Sequence, residues 1–360
     1  MSKWSSHIRN LLVSVENRFD ALNHRIRSRL GSGGPPHVLI YHGYPHPDGI
    51  FLRGRVIRDR AIEVTTEDGT WNNLVNSYKR MNSAEIPGAE VNIAFYDQRL
   101  QTTADHEGYW EITLPRPTEL PGGPGRYQAC AELLSPDEPN KMGGEGPVYL
   151  PGSNPRFGVV SDIDDTILVT GATSIRTMAR LTFLQNVHNR EAFPGTATFY
   201  HALQAGASGA EGNPIFYVSS SPWNLYDMLR DFVNLQGIPE GPLILRDYGL
   251  EEESVFSDGH SHHKLRWIQH ILDSSPHLPF ILIGDSGQQD TFIYYELAQK
   301  YPDRILSIYI RDVKSPKTEN RVRSQIEKAR AEGIDMIWMP DSTFGMEDAL
   351  KKGYLRKDKL

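Results

Sequence analysis

Between residues 158 and 339, short apolar runs alternate with stretches of helical period, and few folds accept that pattern. The runs are 158–161, 215–218, 243–245, 280–283, 305–310 and 336–339, and the helical stretches fall near 175–187, 196–204, 223–235, 264–272, 288–300 and 317–331. Strands separated by helices predict an α/β fold, a doubly wound parallel sheet covered on both faces. In such sheets ligands lie outside the carboxyl ends of the strands, so the residues that follow each run carry the first interest.

Those residues are polar. The first run leads into Ser161-Asp162-Ile163-Asp164-Asp165-Thr166, three carboxylates in four positions. Repulsion makes such a cluster costly without a cation, and a hard ion such as Mg²⁺ takes one or two carboxylates together with phosphate oxygens. Asp162 then suits a metal ligand and nucleophile together, and Asp164 a proton donor to the leaving group, the plain alternative being an acidic helix cap. The second run ends in Ser219-Ser220-Ser221-Pro222-Trp223. This predicts Ser221 as the cap of a helix opening at Pro222, with backbone N–H groups and the Ser219 and Ser220 hydroxyls turned to a phosphate, or a cap and nothing more. Trp223 fits core packing and a substrate wall equally.

Lys264 opens the next helical stretch, where its charge faces the same edge. The neighbouring His260, His262 and His263 read as a solvated loop, because a histidine set suits zinc-like ions whereas the carboxylates want an oxygen-liganded one. The fourth run delivers Gly284-Asp285-Ser286-Gly287-Gln288-Gln289-Asp290. Its glycines allow a tight turn that presents Asp285 and Asp290 to the same ion as Asp162.

The rest of the chain is of another kind. With 360 residues, two to three domains are expected, and 39% hydrophobic with 23% charged residues excludes wholesale disorder. Residues 35–150 carry strand-like runs at 37–41, 49–56, 91–96, 108–114 and 126–133, separated by Gly, Pro, Asp and Asn, which predicts an all-β sandwich domain with no catalytic cluster of its own. Residues 147–155 read as a linker, 151–345 as the catalytic domain and 346–360 as a tail. In residues 1–30, apolar positions from Trp4 to Leu30 recur at steps of three and four, with six basic side chains against two acids, a net +4 that leaves −11 on the remainder. This predicts an N-terminal amphipathic helix, ending with its linker at 34, that docks on protein or lies on an anionic membrane surface.

One cysteine, Cys130, builds neither a disulfide framework nor a cysteine zinc site, and a cytoplasmic home, with peripheral membrane contact, is expected. No apolar run approaches the 18 residues a membrane span needs, and the N-terminus lacks the pattern of a secretory signal. The net charge of −7 argues against nucleic acid as a partner.

Taken in order, Asp162-x-Asp164-x-Thr166, Ser219, Lys264 and Gly284-Asp285 with Asp290 resemble the four motifs of the haloacid dehalogenase (HAD) superfamily. More narrowly, these segments and Ile308-Tyr309-Ile310-Arg311-Asp312-Val313 resemble the catalytic domain of the phosphatidate phosphatase family typified by the yeast actin-patch enzyme, over about residues 150–345. The resemblance implies a HAD-like (Rossmannoid) fold with a small cap and Mg²⁺-dependent hydrolysis of phosphatidate to diacylglycerol and phosphate. It implies Asp162 as nucleophile, Asp164 as acid/base and metal ligand through its carbonyl, Thr166 as a structural hydroxyl, Ser219 and Lys264 as the phosphate-orienting pair, and Asp285 with Asp290 as metal-holding acids. Arg311 either binds a second anionic group or pairs with an acid nearby. The proline-rich tail of the fungal member has no counterpart in these residues, so actin association is not expected. Two other readings stay open: a phosphatase of soluble phosphomonoesters or phosphoproteins, and a non-catalytic phosphate-sensing scaffold. Only about 45 residues, 169–214, are free to form a cap, which favours an open site and a bulky substrate.

Overall fold

A long hairpin opens the fold. The computed structural model describes residues 34–58, 84–120, 123–167, 193–246, 259–313 and 318–356. The expected N-terminal helix, the helical stretch near 175–187 and most of the cap region therefore lie outside the described residues. Strand β1 (Pro36–His46) turns back into β2 (Gly49–Arg58) at His46, Pro47, Asp48 and Gly49. Gly49 has a φ of +150°, and a Cβ there would fall 1.9 Å from the Leu114 carbonyl oxygen, so the turn demands glycine.

Strands β3 (Ala84–Glu85), β4 (Glu90–Phe95), β5 (Gln98–Thr103), β6 (Tyr109–Leu114), β7 (Gly125–Ser135) and β8 (Gly144–Leu150) complete one eight-stranded sheet. Its order is β3-β2-β1-β8-β7-β4-β5, with β6 following β3 along the edge of β2 opposite β1. The expected sandwich of two sheets is thus a single sheet that curls until β5 meets β6, where the Thr102 hydroxyl lies 3.4 Å from the Glu111 carbonyl oxygen. Curling lets one sheet enclose its own apolar face, here Val38, Ile40, Leu52, Val91, Ile93, Trp110 and Leu133. Residues 147–150, expected to open a linker, instead complete β8, the strand that ties β7 to β1.

The second sheet is entirely parallel. It comprises β9 (Gly158–Ser161), β10 (Ile215–Pro222), β11 (Leu243–Arg246), β12 (Phe280–Asp285), β13 (Ile305–Arg311) and β14 (Met336–Met339). Their order is β11-β10-β9-β12-β13-β14. Helices α1 (Thr196–Ala205), α2 (Tyr226–Leu235), α3 (Gly259–Ser274), α4 (Asp290–Lys300), α5 (Glu319–Ala331) and α6 (Ser342–Lys351) cover it. Alternate strand residues feed opposite cores. Val159, Ile281 and Ile283 meet Phe199 of α1 and Leu229 of α2, while Val160, Leu282 and Ile308 meet Ile268 of α3, Ile293 of α4 and Val322 of α5. Helix α6, which crosses the expected boundary at 345 into the tail, is capped by the Asp341 carboxylate, which accepts from the Phe344 amide at 2.8 Å.

Aromatic residues join the two sheets. Tyr41 stacks on Trp223 with ring centroids 4.2 Å apart, and Tyr44 meets Phe216 edge to face at 5.3 Å. Among them lies His42, fully buried and pushed down to about 3 by burial and by the charge of Arg53. His263 on α3 is pushed to about 3 by burial and by Arg53 as well. The ordinary value of both is 6.5, so between pH 6.5 and 3 the unfolded chain binds more protons than the folded one. Stability is therefore full above pH 6.5 and falls on acidification, by up to about 1.4 kcal/mol per pH unit for each ring. Thermal unfolding followed from pH 7.5 to 5 will show this slope, and His42→Gln will flatten it by about half.

Candidate active site

Strand order selects the place. In the parallel sheet the chain direction of winding reverses between β9 and β12, which leaves a crevice beyond their carboxyl ends. Asp162 leaves β9 there, its amide donating to the Ile283 carbonyl at 2.9 Å, and Asp285 is the last residue of β12. Ile163 is buried as an anchor, and Asp165 takes a φ of +58°, a left-handed conformation that aspartate tolerates and that turns the chain at once. Asp290 is the first residue of α4, and Lys264 reaches in from α3.

Four buried charges meet in this crevice. Lys264 Nζ lies 2.9 Å from Asp162 Oδ1 and 2.6 Å from Asp290 Oδ1. The other Asp290 oxygen accepts from the Asp285 amide at 3.2 Å. Asp285 Oδ1 accepts from the amides of Gly287 at 2.6 Å and Gln288 at 2.9 Å, while its Oδ2 is buried without a hydrogen-bond partner. The Thr166 hydroxyl stands 3.5 Å from Asp162 Oδ2. Burial pushes the Asp162 carboxyl up, the Lys264 ammonium opposes this, and Asp290 and Asp164 add to it. Burial followed by Asp290 and Asp162 pushes Asp285 up too. Burial works against the charge of Lys264, but Asp162, Asp290 and Asp285 outweigh it and hold its pKa above the ordinary value. With all four ionised, three carboxylates and one ammonium leave a net charge of −2. Oxygens of the three acids lie within 4.8 Å of one another. An all-oxygen donor set with one orphaned carboxylate oxygen fits a hard divalent cation rather than a zinc-like one.

Asp164 stands apart from this cluster. Its Oδ2 accepts from the hydroxyls of Ser219 and Ser221, each at 2.8 Å, and its carbonyl accepts from Gln288 Nε2 at 3.2 Å. The structure thus brings Asp162, Thr166, Lys264, Asp285 and Asp290 together, sets Asp164 and Ser219 beside each other, and leaves Ser220 half-buried between Ser219 and Ser221 on β10.

Several expectations change. Ser221 does not cap a helix: its hydroxyl is committed to Asp164 and its amide to Ser219 Oγ at 2.9 Å, so β10 continues through Pro222, a 3₁₀ turn follows at Trp223–Leu225, and α2 begins only at Tyr226. Backbone N–H groups at a helix start are thereby replaced by a pair of hydroxyls. The glycine of Gly284 serves closeness rather than turning, since a Cβ there would lie 2.6 Å from Asp290 Oδ2. Lys264 and His263 lie within α3, and His263 is buried rather than solvated. Trp223 is core, 2% exposed. Arg311 is buried against the hydroxyls of Ser342 at 2.6 Å and Thr196 at 3.5 Å, with the Phe193 ring 4.4 Å beneath it, rather than against a carboxylate among the described residues. Ser221 and Gln288 had no separate signal in the sequence, although both stand inside the motifs that did. A cleft of about 1170 Å³, lined by Pro45, Arg126, Tyr149, His201 and Glu240, lies instead at the amino ends of the parallel strands, away from the acids.

Removing one carboxylate relieves the cluster. In the absence of divalent ions Asp285→Asn will unfold at a higher temperature than the wild type, whereas Lys264→Met, which strands the acids, will lose about 3–5 kcal/mol of unfolding free energy in urea.

Residues 157–312 match the family model described as the catalytic domain of phosphatidate phosphatase APP1. Phosphatidate phosphatase APP1 of Saccharomyces cerevisiae is 36% identical over 156 residues, which cover 43% of this chain and 26% of that protein. An uncharacterised Schizosaccharomyces pombe protein is 28% identical over 161 residues, 44% of this chain and 26% of its own length. The chain thus aligns with about a quarter of the length of these curated relatives. Among solved structures, a carbohydrate acetylesterase from Xanthomonas citri aligns over 88% of this chain and 63% of its own with 12% identity and a TM-score of 0.28, a likeness too remote to bear on fold or chemistry. The segment matched by the model of the phosphatidate phosphatase APP1 catalytic domain, residues 157–312, is the one that holds every side chain of the acid crevice.

Proposed function

We propose that this chain is a Mg²⁺-dependent phosphatase of the HAD superfamily that hydrolyses phosphatidate to diacylglycerol and phosphate. The observation that carries the reading is the buried trio Asp162, Asp285 and Asp290 around Lys264, with Asp285 Oδ2 unpartnered, in a segment of this family. Asp162, Asp285 and Asp290, with the Asp164 carbonyl that Gln288 holds, are the groups to bind Mg²⁺. When bound, the ion neutralises charge on the phosphoryl oxygens.

The protein's own groups do the rest. An Asp162 oxygen attacks phosphorus as the bond to the glycerol oxygen breaks, and Asp164 gives that oxygen its proton. Asp164 then takes a proton from water, the water oxygen attacks the same phosphorus, and phosphate leaves as the Asp162 carboxylate is restored. Ser219 turns its hydroxyl from Asp164 to a phosphoryl oxygen, and Lys264 holds a second. The two ends of the segment 168–192 are joined, the Phe193 amide donating to the Ile167 carbonyl at 3.2 Å. Only these 25 residues stand between the joined ends, too few for a large closed lid, which supports a bulky substrate. No helix among the described residues is long and apolar enough to cross a membrane.

Phosphate release from dispersed phosphatidate and from a panel of soluble phosphomonoesters tests the reading. Wild type will favour phosphatidate and need Mg²⁺, and Asp162→Asn will lose activity by about 10³-fold or more while remaining folded. Preference for a soluble ester would discard the lipid substrate, and retained activity in Asp162→Asn would discard the nucleophile. Mg²⁺ will raise the unfolding temperature of the wild type but not that of Asp285→Asn.

A further inference from the structure

We propose that Arg53, on the curled β-sheet, is a positioning residue for the phosphoryl-binding half of the site, an inference that rests on the phosphatase reading and assigns the β-sheet a part in it. The site divides by origin. Its acids hang on β9, β12 and α4, whereas Ser219 and Lys264 come from β10 and α3. Arg53 touches the second pair of elements. Its guanidinium carbon lies 5.3 Å from the ring centroid of Trp223, four residues beyond Ser219, and 4.6 Å from that of Trp267, one helical turn beyond Lys264.

A planar guanidinium bridging two indoles sets their separation and orientation together, which an aliphatic side chain does not. Arg53 is itself fixed. It is 4% exposed, the Tyr109 ring lies 5.2 Å from it, and its Nη1 pairs with Glu111 Oε1 at 3.2 Å. Trp223 is gripped from the same sheet by Tyr41, whose ring stacks on it and whose carbonyl accepts from the Tyr226 hydroxyl. Ser219 and Lys264 thus take their spacing from a sheet that supplies none of the reacting groups. Displacement of such groups by about 1 Å costs roughly a hundredfold in rate.

The test compares wild type with Arg53→Met, Arg53→Lys and Glu111→Gln in the full chain. Hydrogen–deuterium exchange reads the two elements without reference to activity, and calorimetric titration reads Mg²⁺ alone and then orthovanadate at saturating Mg²⁺. Arg53→Met is expected to speed exchange in residues 219–226 and 262–270 but not in 158–163 or 281–285. It should weaken vanadate about tenfold at full stoichiometry, leave Mg²⁺ affinity within about twofold, and be partly rescued by lysine. Loss of stoichiometry at unchanged vanadate affinity is the mark of a merely structural residue and overturns the proposal, as does wild-type exchange in both segments. Should Arg53→Met not fold, Glu111→Gln, altered at a side chain 41% exposed, decides in the same way at about threefold size. A wild type that binds no vanadate refutes the phosphatase reading itself, and exchange alone then accepts or rejects the setting of β10 and α3 by Arg53.

Discussion

Everything in the parallel-sheet half of this molecule is arranged about one ammonium group between two carboxylates. Lys264 approaches Asp162 and Asp290 at ion-pair distance in a place from which water is removed. Burial of so many charges is unfavourable, and a single lysine offsets only part of it. The surroundings answer this with backbone donors: the Asp285 amide for Asp290, and the Gly287 and Gln288 amides for Asp285. Those donors exist only because β12 ends where it does and Gly284 lets α4 begin close by. With the four groups ionised the net charge is negative, and a cation bound there would return the stability that the fold gives up in holding the acids together.

The curled sheet belongs to the same economy of positions. It carries no acid of the crevice, yet its aromatic face supplies the wall against which Trp223 and Trp267 are set. Pro35–Leu360 forms a single compact unit, which accords with a contact built from rings and one buried arginine rather than from a flexible joint. The buried His42 and His263 follow from that contact, since closing two apolar faces about them removes the solvent that would sustain their charge.

Much of this was legible in the residue order. The alternation from 158 to 339 specified the parallel sheet, because strands buried on both faces read as unbroken apolar runs, and the polar residues after them marked the crevice. Asp162, Asp285 and Asp290 were named by that rule and Lys264 as the opening of a helical stretch, and they meet. What escaped were the choices settled by tertiary contacts. Ser221 looks like a helix cap because Ser-Pro usually is one; the pull of Asp164, 57 positions earlier, makes it a strand residue instead. The histidines near 262 look solvated because no local pattern announces that tertiary packing will bury His263 within reach of the Arg53 charge. The strand at 144–150 is broken by glycines and a proline, and only pairing with β7 defines it. A sandwich and a curled sheet share the same alternation, so the choice between them rests on where β5 and β6 come to lie.

The hydrogen bond between Phe193 and Ile167 sets side by side two residues that stand 26 positions apart in the chain. Strand β9 and its acids precede this joint and α1 follows it, so the interval between them is fixed by a contact made at the joint itself. Loop-closure entropy grows only slowly with length, by about 0.6 kcal/mol for each doubling, so residues added or removed between the joined ends cost the joint little. The place of α1 beside the sheet is thereby inherited with the contact and not with the number of residues between its partners.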